Sequence, residues 1–437
     1  MKRSNLLAIL GIFTVCFTMS GCNKPKEADT PVIDVPTTIV VNSGSDYISQ
    51  DIPEEIIEET PEYEYIYDDV NKIYSKEANS PDKVVLEFAG DTCFYDGFSL
   101  MSQFRDRGSD IRNCIDASLL DEMNSADIFM INNEFCYSNR GTPIEGKQYA
   151  FRSKPENVVI LKDMGADIVS LANNHAFDWG PDALADSIDV LNDAMIPFVG
   201  AGKNIDEAMR PAYFKVNGLT IAYVSATQIE RNGNPDTKEA TADTPGVLRT
   251  VDSTKACKVI KEAKANSDFV VMYVHWGSEN TDLVEKSQRD LAADYIEAGA
   301  NLIIGDHSHC LQGIDFIGDV PVFYSLGNYW FNSKTVDTGL AKITLNETAR
   351  IDSIQFIPAK QINYSTKEVD KAESHRILEY MQGISDYAEI DLDSGYVMKS
   401  DTNHNIQGGM NTSPTKKAPE EESISTDVQV VNVSENE

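Results

Sequence analysis

The chain has six histidines, and four of them directly follow or close apolar, β-branched runs. His175 follows ADIVSLANN, His275 follows SDFVVMYV, and His307 and His309 stand one residue apart in LIIGDHSH. Two further runs, KVVLEFAGD and ADIFMINNE, end in Asp91 and Glu134, and Asn174 precedes His175. Each of these residues can ligate a metal. Carboxylate, amide oxygen and imidazole together suit Mn, Fe or Zn, whereas all-oxygen shells suit Mg or Ca. Two such ions about 3.5 to 4 Å apart can activate a water and stabilise an in-line displacement at phosphorus. That arrangement needs a carboxylate between the ions, for which Glu134 is the candidate, and one histidine of HSH can face each ion. Taken singly the residues have plainer readings: Asp91 as a turn residue or helix cap, His275 beside Trp276 as a packed, hydrogen-bonded histidine. The joint pattern favours metal, because four of the six histidines sit at strand ends and none lies in the helices between them.

Strand ends make a site only if the strands run together. Between residues 81 and 345 short strands alternate with helical stretches. Pro181 after Gly180 suits a first helical position, with Leu184, Ile188 and Leu191 on one face. A second helix is expected from about Glu285 to Glu297, with Leu291, Ala292, Tyr295 and Ile296 in one stripe and Gly299 as its stop. FKVNGLTIAYVSA predicts a hairpin turning at Asn217 and Gly218, and GIDFIGDVPVFYSLGNYWF another at Gly318 and Asp319. The class is α/β, a largely parallel sheet covered by helices with antiparallel additions. In such sheets ligands bind at the carboxyl ends of the strands.

The flanks are of another kind. Residues 1–22, MKRSNLLAILGIFTVCFTMSGC, have a basic start and an apolar run shorter than a transmembrane span of about 20 residues. They read as a secretory signal peptide. TMSGC looks like a bacterial lipobox, which puts a lipid on Cys22 and the protein on the extracytoplasmic face of the cell membrane; an ordinary signal peptide is the alternative. Residues 23–80 read as an acidic, disordered linker. The main domain is expected over residues 81–360, a partly helical C-terminal extension over 361–400 and a disordered tail over 401–437. His375 and His404, in those last two segments, read as solvated. With 70 acidic against 37 basic residues and a net charge of -33, nucleic acid is excluded as a partner. Cys93, Cys114, Cys136, Cys257 and Cys310 are widely spaced and contain no CxxC, so no disulfide pairing follows from them.

The segments AGD (89–91), NNE (132–134), SLANNHAFDWG (170–180), VHWG (274–277), GDHSH (305–309) and YSLGNYWF (324–331) resemble, in that order, the motifs of the CapA family. These are capsule-synthesis proteins associated with poly-γ-glutamate, within the calcineurin-like metallophosphoesterase superfamily. The resemblance covers about residues 83 to 335 and implies a four-layer α/β/β/α sandwich with mixed sheets. It implies Asp91 and His309 on one ion, Asn174, His275 and His307 on the other, and Glu134 between. It makes His175 the acid that protonates the leaving group, with Asp178 orienting it. The superfamily usually has a histidine where this chain has Cys93, and an aspartate where it has Glu134. Arg152 in YAFRSKPE and Asn328 in SLGN are the expected substrate contacts.

Two functions fit. One is a surface-tethered, metal-dependent hydrolase or transferase acting on an envelope polymer, at a phosphoester or a γ-glutamyl amide. The other is a non-catalytic accessory that binds capsule polymer or membrane synthase subunits, with a structural or vestigial metal site. An anionic polymer such as poly-γ-glutamate is repelled by the general field of so acidic a chain. Its capture therefore needs a local site such as the metals or Arg152.

Overall fold

A computed structural model describes residues 66–229 and 238–405. The signal peptide, Cys22, the linker up to residue 65 and the tail from residue 406 lie outside the described residues.

Two eight-stranded sheets stack face to face. The first runs, in spatial order, Ser365–Glu368, Ile351–Ile362, Val336–Asn346, Lys83–Thr92, Ile128–Asn133, Ile168–Ser170 and Phe198–Val199, with Asn328–Trp330 beside Lys83–Thr92. The second runs Tyr67–Asp68, Ile73–Lys76, Ala212–Val216, Leu219–Thr227, Phe269–His275, Leu302–Asp306, Val320–Leu326 and Leu311–Ile317. The first is parallel from Lys83–Thr92 to the edge strand Phe198–Val199 and antiparallel on the other side; in the second, parallel strands from Leu219–Thr227 to Val320–Leu326 are flanked by antiparallel pairs. Both expected hairpins form. Asn217 and Gly218 both have positive φ, 49° and 77°, as a two-residue turn between twisted strands demands.

Alternation along the strands builds the four layers. In Phe269–His275, residues Phe269, Val271 and Tyr273 pack into the core between the sheets, whereas Val270, Met272 and Val274 pack under helices Thr254–Ala265 and Lys286–Ala298. On the other sheet Leu86, Phe88, Ile128 and Met130 enter the same central core. Phe129, Ile131 and Val169 meet Leu184, Ile188 and Leu191 of the helix Pro181–Asp193. The helix at 286 starts one residue later than expected and ends at Gly299, whose φ of 118° suits glycine.

One irregularity matters for the site. Leu86 and Phe88 point between the sheets and Ala89 toward the helices, so unbroken alternation would aim Asp91 at the helices. The pairing with Ile128–Asn133 shifts register between Phe88 and Asp91, and this bulge turns Asp91 inward. Gly90 permits it, because a Cβ there would lie 2.0 Å from the Gly327 carbonyl oxygen. Gly90→Ala is expected to cost about 3 kcal/mol, the upper end of ordinary overpacking, since the opposing atom is backbone. The midpoint of urea unfolding checks it.

Two expected boundaries are corrected. The linker was expected to reach Ser80, yet Ile73–Lys76 is a strand parallel to Ala212–Val216, and Tyr74 is buried against Phe214. A short aromatic strand docked on a sheet offsets its ordering entropy in a way its acidic flank cannot. The segment after residue 360 is not an appendage either. Ser365–Glu368 pairs with Ile351–Ile362, and helix Lys371–Ile384 buries Ile377, Leu378, Met381 and Ile384 in the central core. His375 is exposed on that helix, and His404 Nε2 lies 3.0 Å from Ser400 Oγ. The five described cysteines are free thiols. Among the described residues no helix is long and apolar enough to cross a membrane.

Candidate metal centre

Three strand ends from one sheet and two from the other meet between the sheets. His275 continues the inward face of Val271 and Tyr273, and Asp306 that of Leu302 and Ile304; the two stand in register on neighbouring strands. Opposite them Asp91, Glu134, Asn174 and His175 come from the other sheet. All six are buried. Ser170 Oγ and Ser225 Oγ, 2.7 Å apart, tie the two sheets together nearby.

The donor atoms fall into three groups: two share Glu134, and the third joins Asp91, His275 and Asp306. Those of Asp91, Glu134 and His309 lie within 4.8 Å of one another, and so do those of Glu134, His275 and His307. Glu134 Oε1 is buried with no hydrogen-bond partner. It lies 3.7 Å from His275 Nε2, 3.8 Å from His175 Nε2 and 4.0 Å from His309 Nε2. His275 Nε2 is also 2.7 Å from Asn174 Oδ1 and 2.9 Å from His307 Nδ1. Converging acceptors around an unsatisfied carboxylate oxygen fit a divalent transition ion, because its charge offsets repulsion that neutral packing cannot relieve.

The electrostatics agree. Burial, then the charges of Asp91 and Asp306, push the Glu134 carboxyl well above its usual range. Burial and Asp91 do the same to Asp306. For Asp91 burial acts upward, but the hydrogen bond and charge of His309 outweigh it and bring the carboxyl down to about 2. Burial holds His275 down at about 3 and keeps His175 below its ordinary range. His309 is raised, burial being outweighed by Asp91 at 3.2 Å. His307 and His309 have φ of 91° and 56°, a left-handed backbone that costs about 1 to 3 kcal/mol per residue and recurs at functional sites.

His175 and His309 come from different loops, one after a strand of each sheet. His175 Nδ1 lies 2.7 Å from Asp178 Oδ2, and its ring stacks on Phe151 with centroids 4.1 Å apart. His309 Nδ1 is 2.8 Å from Asn328 Oδ1, and its ring lies beside Phe331. Asn328, expected to touch substrate, is fully buried, and its Oδ1 orients His309. Arg152 lies over the Trp179 ring at 3.5 Å and donates to the Arg140 carbonyl at 3.2 Å. Cys93, at the position where a histidine is usual, is buried in the core under the helices, and burial raises its thiol.

Two residues escaped the sequence reading. Asn132 Nδ2 lies 2.9 Å from Asp91 Oδ1 and 3.3 Å from Glu134 Oε2, so one amide aligns both carboxylates. Asp306 Oδ1 is 2.7 Å from His275 Nδ1 and fixes that ring with Nε2 toward Glu134. Alternation carried the signal, since each continues the inward face of its strand. Both lie inside the segments NNE and GDHSH.

Residues 85–333 match the family described as bacterial capsule synthesis protein PGA_cap. Over 212 residues the chain is 35% identical to the PGA biosynthesis protein CapA of Bacillus subtilis, covering 47% of this chain and 54% of that protein. Over 217 residues it is 34% identical to the capsule biosynthesis protein CapA of Bacillus anthracis, covering 48% and 52%. A probable polyglutamine synthesis accessory protein of Mycobacterium tuberculosis is 29% identical over 214 residues, covering 47% and 56%. The chain thus spans about half the length of the curated relatives it matches. Ordered strand-end donors between two sheets, and a match over more than half of its residues, make this chain a member of the PGA_cap family of bacterial capsule synthesis proteins.

Proposed function

We propose that the chain acts in the synthesis, export or anchoring of a capsule polymer such as poly-γ-glutamate, through a dinuclear metal centre of hydrolase type. The observation that carries this is Glu134, whose carboxylate is common to two donor groups and has a buried, unpartnered oxygen facing three imidazoles. Asp91 and His309 would hold one ion and Asn174, His275 and His307 the other, with Glu134 available to both. Bound Mn, Fe or Zn would supply Lewis-acid polarisation of the scissile group and an activated water. As imidazolium, His175 would deliver the Nε2 proton to the leaving group and relax to the neutral form protonated on Nδ1, which donates to Asp178; Phe151 stacks on the ring. A lipid on Cys22 tethers this centre to the outer face of the cell membrane, within reach of synthase subunits and nascent polymer.

A non-catalytic accessory role is the second reading. It is favoured by the name of the Mycobacterium relative and by Arg152, the expected anion clamp, being already held by Trp179 and Arg140.

The first test is elemental analysis of the purified chain lacking residues 1–22, with His309→Ala beside it. Wild type is expected to carry one to two transition ions per chain, and the variant to lose at least the ion shared with Asp91. No metal in either protein after reconstitution would remove the centre and leave the accessory role in the lead.

A further inference from the structure

The loop between Arg140 and Phe151 contains no strand, yet it is fastened to the acid histidine's own loop at several points. Ile144 N donates to the Asp178 carbonyl at 2.9 Å, Phe151 N to Asp178 Oδ2 at 2.6 Å, and Trp179 Nε1 to the Ala150 carbonyl at 3.3 Å. At its centre stands Lys147. Its side chain is 7% exposed, and its ammonium contacts both Asp178 Oδ1 and the carbonyl oxygen of Asn174. Burying an ammonium is costly unless it is paired and hydrogen-bonded. This one is spent on the two residues that flank His175 in function: the ligand before it and the carboxylate behind it.

We propose that Lys147 is a positioning residue for proton delivery, an inference that rests on the acid role of His175 given above. With Lys147 on Oδ1 and Phe151 N on Oδ2, the Asp178 carboxylate is held at both oxygens, and Oδ2 also faces His175 Nδ1. That keeps one proton on Nδ1, so the second proton of the imidazolium sits on Nε2, facing the centre, and is the one delivered. The Asn174 contact sets the backbone between ligand and acid, so Lys147 couples the two and fastens the 140–151 loop over them. Its ammonium meets Asp178 and the Asn174 backbone, so its effect on the acid passes through the Asp178 carboxylate.

The experiment compares wild type, Lys147→Met and Lys147→Arg, each loaded with Mn, on two phosphate esters. One has a p-nitrophenyl leaving group, which departs without a proton, and the other an ethyl leaving group, which needs one. Lys147→Met is expected to lower kcat on the ethyl ester about 100-fold, within the range of general-acid catalysis, and on the p-nitrophenyl ester less than about 5-fold, the residue of a proton-independent step. Metal content should stay that of wild type, and Lys147→Arg should recover most of the loss. An equal loss on both esters, or none, overturns the proposal. A second readout needs no turnover: in metal-free protein the hydrogen-bonded Nδ1–H of His175 should appear as a slowly exchanging proton resonance in wild type and Lys147→Arg, and vanish in Lys147→Met. Its persistence in Lys147→Met also overturns the proposal. Failure of wild type to turn over either ester would sink the hydrolase reading instead, and the resonance would still decide the part played by Lys147.

Discussion

Glu134→Gln is expected to disable, in one step, the two donor groups that contain Glu134. The substitution keeps shape and volume but removes the one charge common to the two donor sets, and it puts an amide where a carboxylate oxygen faces three imidazoles. Loss of a carboxylate aligned behind a ligand weakens metal binding about 10- to 100-fold; a shared ligand should exceed that, more than about 100-fold for each ion. Metal titration followed by calorimetry reads it directly. Because buried carboxylates and an unsatisfied oxygen destabilise the metal-free fold, Glu134→Gln is also expected to unfold at a higher temperature than metal-free wild type. A variant that still binds two ions would show that Glu134 is not the bridge.

His175→Ala is expected to do the opposite, sparing metal and losing turnover. The imidazole lies 3.8 Å from Glu134 Oε1 and is held by Asp178 and Phe151, not by the donor groups. General acid catalysis contributes about 10² to 10⁴-fold, and a loss of that size on an ester with a poor leaving group is the expected result. In cells the same variant separates the two functional readings. Loss of capsule with normal folding and export supports catalysis, whereas normal capsule supports an accessory that binds polymer without cleaving it.

Much of this centre could be read in one dimension because its parts are local. Strand ends announce themselves by the apolar run that precedes them, and turns by residues that tolerate positive φ; both are properties of a few neighbouring residues. The order of donors, from Asp91 to the pair in GDHSH, and the hairpins at Asn217 and Gly318 followed from such signals. The short strand Ile73–Lys76 did not, since its acidic neighbours mask it and only docking against Ala212–Val216 stabilises it.

What tertiary structure alone decided is which way each side chain faces. At the bulge the Gly327 carbonyl, more than two hundred residues on and between two strands, leaves room only for glycine at position 90, and the register shift there turns Asp91 into the centre. Asn132 and Asp306 joined the site, while Asn328 and Arg152 were bound to His309 and Trp179. Sequence determined the chemical kinds and their order along the chain. Their partition between two sheets, and so their convergence on Glu134, came from long-range strand pairing, because a one-residue change of register exchanges the faces of a strand.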